Sequence, residues 1–399
     1  MKKSILSYIL IIIIILSSFL FIINKKQNQN SKEIIFLTLQ LGTFDNYVNK
    51  VISNFEKENP EYKIKWIDIP YSEGEKRTLA AILTDNPPDL VNLTPDFSLV
   101  LAKKNALKTI KKEELTQFLP SIIEALKLDD KYFGIPFYAT SAVTLYNKDL
   151  SNKKISTYDE LFKLKTIDNS YITMFNFSEN DTLLKLLNKY NINSPTNINS
   201  EKSVEIFKKF KYLFDNNLIP KESITQSHRE ALEKYMSGQL AYIVTGANFL
   251  NIIKENAPEI YKKTEILPQL VGNTGKYDYS LMNMIIPVKA KNKDGALKFA
   301  LYFTNEENQL EFSKLTGVLP TNINSLKNSY FTHLNNDTLE EKARIICSKQ
   351  LTNIQPSIKN IKNKKELNTL SANYVQEILI RDKDIKTTLD EFAQDWQKL

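Results

Sequence analysis

Beyond residue 31 the apolar residues alternate between two spacings. Glu33–Leu39 is a compact β-rich apolar run, the pattern of a buried strand. Asp45–Glu58 carries Tyr47, Val48, Val51, Ile52 and Phe55 at three- and four-residue intervals, which predicts a helix with one buried face and Asp45 as its cap. Lys63–Ile69 alternates and reads as a strand, and Glu75–Leu83 is again helical. Pro87-Pro88 stops that helix, since proline has no amide hydrogen to donate, and Asp89–Leu93 opens a further strand. Strand, helix, strand, helix, strand in this order predicts an α/β domain with parallel pairing.

The alternation resumes after about residue 145. Ile172–Asn176, Leu240–Val244 and Ile285–Val288 are expected as strands, and Val204–Phe214, Lys293–Phe303 and Glu306–Leu315 as helices. With 399 residues the chain is long enough for more than one lobe. The expected fold class is α/β, with two lobes.

The N-terminus has a different character. Met1-Lys2-Lys3-Ser4 precedes an apolar run over 5–23, long enough to span a bilayer at roughly 20 residues. No small-x-small cleavage site follows, and no cysteine lies nearby to carry a lipid. The run reads as a signal anchor retained on the mature protein, with a cleaved signal peptide as the alternative. Residues 24–31 are a polar linker.

Composition narrows the function. The 53 basic and 46 acidic residues are spread along the chain, so no basic stripe points to nucleic acid. The short run Lys362–Lys365 reads as a solvated face. The single cysteine, Cys347, lies in an apolar stretch and reads as a small buried hydrophobe. The two histidines, His228 and His333, are far apart and flanked by surface-type residues, so both read as exposed. No metal-ligand spacing and no phosphate-cradling glycine motif occurs, and no cofactor is expected. A glycosidase needs two carboxylates at a set separation, which a sequence does not show. The chain is therefore not expected to be an enzyme.

Four segments carry a resemblance. Phe55-Glu56-Lys57-Glu58-Asn59-Pro60 leads to Ala80-Ala81-Ile82 and Pro88-Asp89-Leu90-Val91. Phe133-Gly134-Ile135-Pro136-Phe137-Tyr138 leads to Leu145-Tyr146-Asn147-Lys148-Asp149-Leu150. Tyr235-Met236-Ser237-Gly238-Gln239-Leu240-Ala241-Tyr242 precedes Gly246. Ile286-Pro287 precedes Ala296-Leu297-Lys298-Phe299, Thr304–Gln309 and Gly317-Val318-Leu319-Pro320-Thr321. In this order and spacing they resemble the family 1 extracellular solute-binding proteins over nearly all of 33–399.

The resemblance implies a periplasmic-binding-protein-like fold, two α/β lobes joined by several hinge segments with a ligand cleft between them. The implied boundaries are 32–139 with 285–322 for lobe 1, 145–280 with 335–399 for lobe 2, and crossovers at 140–144, 281–284 and 323–334. It implies Asp96 and Glu179 as ligand-binding carboxylates by similarity to maltose-binding members. Thr140 stands where those members have a glutamate, Phe97 where they have an arginine, Asp181 where they have a tyrosine and Asn248 where they have a tryptophan, which puts maltose specificity in doubt. Ligands in open α/β sheets gather at the carboxyl ends of strands, which adds Gln40 and Phe44. Phe44, Phe97, Tyr138 and Tyr279 could supply flat faces for a sugar, and Phe177 lies within the binding-segment motif. The implied partners are a small solute, expected to be a sugar or oligosaccharide, the membrane subunits of an ABC permease, and the membrane itself through 5–23, with no nucleic acid. The implied place is the extracytoplasmic face of the cell membrane. A solute sensor or surface-adhesive binding protein is the alternative function.

Overall fold

The computed structural model describes residues 32–165, 170–179, 181–356, 358 and 363–399. The apolar run 5–23 lies outside the described residues. Among the described residues, no helix is long and apolar enough to cross a membrane.

The strands are β1 (Lys32–Leu39), β2 (Tyr62–Ile69), β3 (Leu90–Leu93), β4 (Lys127–Leu128), β5 (Lys131–Tyr132), β6 (Ile135–Asn147), β7 (Tyr242–Gly246), β8 (Thr264–Pro268), β9 (Tyr279–Ile285) and β10 (Leu319–Pro320). β1 pairs in parallel with β2 and β3, as the strand–helix alternation predicts. The helix Asp45–Glu58 buries Tyr47, Val48, Val51, Ile52 and Phe55, the face its spacing picks out. Its cap is Phe44, not Asp45. Asp45 lies inside the first turn, where its carboxylate favours the positive end of the helix dipole.

Purely parallel pairing does not hold beyond β3. β9 lies antiparallel between β3 and β6, and the sheet order is β10-β6-β9-β3-β1-β2, with β7 and β8 also on β6. β6 is the strand common to both halves. Up to Ser141, which faces Tyr279, it pairs with β9 and β10, and from Ala142, which faces Gly246, it pairs with β7 and β8.

One lobe packs Ile34, Phe36, Phe55, Phe299 and Phe303 around the parallel strands. The other packs Phe175, Phe207, Phe210, Phe392 and Trp396. A further apolar cluster lies along the shared strand and holds Val143, Leu145, Tyr235, Leu240 and Cys347. Cys347 is thus the small buried hydrophobe expected, and burial pushes its thiol up to about 12.

Three predicted strands differ from the structure. Ile172–Asn176 forms no regular strand, because its backbone bonds are divided: Ile172 N donates to Leu218 O, Tyr242 N to Ile172 O, and Phe177 N to Ser223 O. The strand expected at 240–244 runs two residues later, as Tyr242–Gly246. The strand expected at 285–288 ends at Ile285 and begins at Tyr279. Asn283 broke its apolar pattern, yet its side chain is buried and donates to Ser98 Oγ at 3.0 Å.

The helix Lys293–Phe303 approaches β1 and β2 closely through Gly295, where an added Cβ would stand 2.5 Å from Tyr62 Cε1 and 2.9 Å from Ile34 Cδ1. Gly295→Ala is therefore expected to destabilise the protein by about 1–3 kcal/mol, the usual cost of overpacking. A lowered urea midpoint with an unchanged slope is the expected readout, and an unchanged midpoint would show that the contact can relax.

Candidate ligand cleft

The carboxyl ends of β1, β2 and β3 carry one wall. Asp68, next to the end of β2, accepts hydrogen bonds from Thr38 Oγ1 at 2.6 Å and from the amides of Leu41 and Gly42 at 2.9 Å each. Trp66 Nε1 donates to the same Thr38 hydroxyl at 2.7 Å. This network shapes the turn after β1, where Gln40 takes a φ of 56° and the chain folds beside β2. The result is a pocket of about 650 Å³ lined by Gln40, Thr43, Asp68, Pro70, Tyr71 and Ser72, among others. Tyr71 is 56 % exposed there, a ring left uncovered beside the polar side chains of Gln40, Thr43, Asp68 and Ser72.

Asp96 and Phe97 begin the helix Pro95–Lys103, which follows β3. Asp96 is exposed, and Phe97 is half-buried against the apolar cluster below. Phe44 packs edge-on to Phe312 with ring centres 5.8 Å apart and keeps only part of its surface exposed.

On the shared strand, Tyr138 packs against Phe137 and Phe312. Burial, and secondarily the neighbouring Tyr71, push its phenol up to about 12, so at neutral pH it is a protonated donor. Thr140 is exposed and faces Ser280 of β9, and Tyr279 is half-buried beside it.

The candidate second wall carries Glu179 and Asn248. Glu179 closes a turn by donating its amide to Asn176 O at 3.0 Å. Asn248 is exposed at the start of the helix Phe249–Asn256, which follows β7. His228 lies on this side as well and is not the exposed residue its neighbours suggested. It is half-buried, its Nε2 lies 2.9 Å from Thr245 Oγ1, and its ring meets Phe249 edge-on at 5.5 Å. Burial lowers its pKa, and Glu179 partly opposes this.

One expected site residue is misplaced. Phe177 is 1 % exposed, stacked on Phe175 at 5.2 Å and against Phe210 at 5.0 Å. It is a core residue and offers no face to a ligand. Sequence reasoning in turn missed Tyr71, two residues past the end of β2, although the strand-end rule that selected Gln40 and Phe44 applies there equally. It also read the Lys362–Lys365 run as solvated, whereas Lys364 Nζ sits 2.5 Å from Asp96 Oδ2 and 2.9 Å from Asp181 Oδ2.

The described residues contain no group of three or more His, Cys, Asp or Glu side chains placed to hold a metal ion. The arrangement offers hydrogen-bonding side chains and aromatic faces at strand ends, on two α/β lobes joined by a shared strand. That combination defines a two-lobed binding protein.

Comparison with known proteins points the same way. Residues 50–335 match the family described as bacterial extracellular solute-binding protein, and the chain belongs to that family. It is similar to the galactooligosaccharide-binding protein of Bacillus subtilis, 22 % identical over 374 residues that cover 88 % of this chain and 85 % of that one. Its fold is similar to that of a periplasmic-binding protein from Synechococcus sp. MITs9220, with a TM-score of 0.82, 24 % identity, and coverage of 92 % and 98 % of the two chains. It is also similar to the maltose-binding periplasmic protein MalE of Listeria monocytogenes in complex with maltose, with a TM-score of 0.74, 20 % identity, and coverage of 92 % and 97 %. Members of the family are binding proteins, and their place is extracytoplasmic.

Proposed function

We propose that this chain is the substrate-binding component of an ABC importer, and that it captures a carbohydrate in the cleft and delivers it to a membrane permease. The observation that carries the reading is the uncovered Tyr71 ring in a pocket that also presents the polar side chains of Gln40, Thr43, Asp68 and Ser72. Sugars present C–H faces that stack on aromatic rings and hydroxyls that need fixed donors and acceptors. Gln40, Asp68 and Asp96 supply acceptors, and Tyr138 supplies a donor. Relatives named for galactooligosaccharide and maltose support the same class of ligand.

The proposed lobes are 32–139 with 285–322, and 145–280 with 335–399, crossing at 140–144, 281–284 and 323–334. Closure of the two walls on the ligand requires that it touch both, since only differential affinity for the closed form shifts the equilibrium. Gln40, Phe44, Asp96 and Phe97 form one wall, Glu179 and Asn248 the other, with Tyr138, Thr140 and Tyr279 between them.

A thermal-shift screen tests the ligand class, because a ligand that binds only the native state raises its stability by RT ln(1 + [L]/Kd). Maltose, maltotetraose and galactooligosaccharides are the first probes. A concentration-dependent rise with at least one is expected. No rise with any of them, alongside a rise with an amino acid or a peptide, would reassign the ligand class.

The same reading places the protein at the outer face of the membrane, held by residues 5–23. The mature membrane-extracted protein is expected to retain these residues. An N-terminal sequence that starts between 24 and 35 would show that the segment is cleaved.

A further inference from the structure

Among the described residues, the ion pairs fall within one proposed lobe or the other, with a single exception: Lys364 Nζ to Asp96 Oδ2 at 2.5 Å. Asp96 stands on the helix after β3, in the first lobe. Lys364 opens the helix Lys364–Leu379, whose Leu367, Val375, Ile378 and Leu379 belong to the core of the second. The same ammonium also holds Asp181 Oδ2 at 2.9 Å, and Asp181 is paired independently with Lys185 at 3.0 Å. Two carboxylates from opposite walls therefore share one cation.

We propose that Lys364 is a positioning residue of the cleft, an ionic latch that joins the two walls through Asp96 and Asp181 and biases the ligand-free protein toward closure. The inference rests on the reading of Asp96 as a cleft residue. It deepens that reading by giving closure a contribution from the protein's own charges.

The electrostatics are consistent. Burial disfavours the Lys364 charge, but Asp96 and Asp181 outweigh it and hold the ammonium's pKa above its ordinary value. Asp181 is likewise disfavoured by burial, and Lys185 and Lys364 bring it below the usual carboxylate range. The side chains of Lys364 and Asp96 keep 41 % and 48 % of their exposure, so the pair is partly screened by solvent and its contribution is modest. A modest term still matters for a hinge. A change of about fivefold in the closed-to-open ratio is within reach of one such pair, and a ligand gains affinity in proportion to the fraction already competent.

The latch also constrains the ligand. One cation between two carboxylates leaves no uncompensated positive charge for an anionic sugar to pair with, which fits a neutral, hydroxyl-rich solute.

The test is the distance between the lobes, measured by electron–electron double resonance on labels at Lys57→Cys and Lys208→Cys. Both positions are exposed, one on each proposed lobe, and the buried Cys347 stays unlabelled. The ligand-free wild type is expected to be mainly closed in about 20 mM salt and to open in about 1 M salt, where the Debye length falls to about 3 Å. Lys364→Ala is expected to raise the open-to-closed ratio about fivefold at low salt and to lose the salt response. Lys364→Glu alone should open the protein further, and Asp96→Lys combined with Lys364→Glu should close it again, a rescue that a merely structural role would not give. Identical distance distributions for wild type and Lys364→Ala at both salt concentrations, with maltotetraose or a galactooligosaccharide still closing both, would overturn the latch and leave the sugar-binding reading intact. Opening by Lys364→Ala while no sugar closes the protein would support the latch and count against that reading.

Discussion

Asp278→Ala is expected to destabilise the protein by about 3–5 kcal/mol, the cost of leaving a buried charge without its partner. Lys189 has a side chain only 1 % exposed, and its ammonium pairs with Asp278 Oδ2 at 2.9 Å. The weaker contacts that would remain are Gln269 Oε1 at 3.3 Å and the Lys276 carbonyl at 3.4 Å. The network reaches the point where β6 changes partners. Asp278 N and Lys189 both donate to the Gln269 side chain, Gln269 N donates to Gln350 Oε1 at 2.8 Å, and Gln350 Nε2 donates to Ser141 Oγ and Ala142 O at 2.8 Å each.

The pH dependence has a definite sign. Burial lowers the Lys189 pKa, and Asp278 only partly restores it, so the folded value lies below the unfolded one. The folded state then binds fewer protons than the unfolded state, and stability rises with pH. The penalty of the buried charge is present in full below the folded value and disappears above the unfolded value of about 10.4. In Asp278→Ala the gain between neutral and alkaline pH should be larger than in wild type. Adding Lys189→Met should recover most of the lost stability at pH 7, because an apolar side chain of similar length needs no partner. Urea unfolding at pH 7 and pH 9.5 measures both effects. A wild-type midpoint for Asp278→Ala at both pH values would show that water or rearrangement satisfies the lysine.

Asp96→Ala combined with Tyr71→Ala is expected to weaken sugar binding by about a hundredfold or more. Each truncation removes a proposed contact to the ligand, and a lost polar contact alone costs about 1–3 kcal/mol, or roughly ten- to a hundredfold in affinity. Titration calorimetry with whichever of maltose, maltotetraose or galactooligosaccharide gives the largest thermal shift is the measurement. His333→Ala is the control, since His333 is exposed and its Nδ1 lies 2.7 Å from the hydroxyl of its neighbour Thr332. His228 cannot serve that purpose, because it is half-buried beside Thr245 in the second wall. Unchanged affinity in the double variant, with the circular dichroism of the wild type, would place the site elsewhere.

Some of the candidate site was legible in the residues. Gln40, Asp96 and Asn248 follow apolar runs that form strands, and strand ends are where an α/β sheet exposes side chains to a cleft. Tyr71 obeys the same rule, two residues past the strand end that the alternation marks at Ile69, but it lies in none of the segments that carry the resemblance. Phe177 failed for a different reason. An aromatic residue in a binding-segment motif looks the same in sequence whether its ring faces solvent or core, and here Phe175 and Phe210 enclose it. Lys364 could not be distinguished from Lys362 and Lys365, since only folding brings it to Asp96, which is 268 residues away.

The sequence by itself determined the secondary structure where periodicity is strong, as in Asp45–Glu58 and Lys293–Phe303, because one buried helical face demands three- and four-residue spacing. It also determined that β1, β2 and β3 lie parallel, because each is separated from the next by a helix that must return the chain. Only the tertiary structure decided that β9 inserts antiparallel between β3 and β6, and that β6 serves both halves of the fold. These pairings join residues far apart in the chain, such as Val91 and Ile285, and no local pattern records which distant strand edge will satisfy a backbone amide. The same holds for the charges. Whether a lysine is solvated, as Lys362–Lys365 suggested, or buried like Lys189, or held between carboxylates like Lys364, depends on which oxygens folding places within about 3 Å of it.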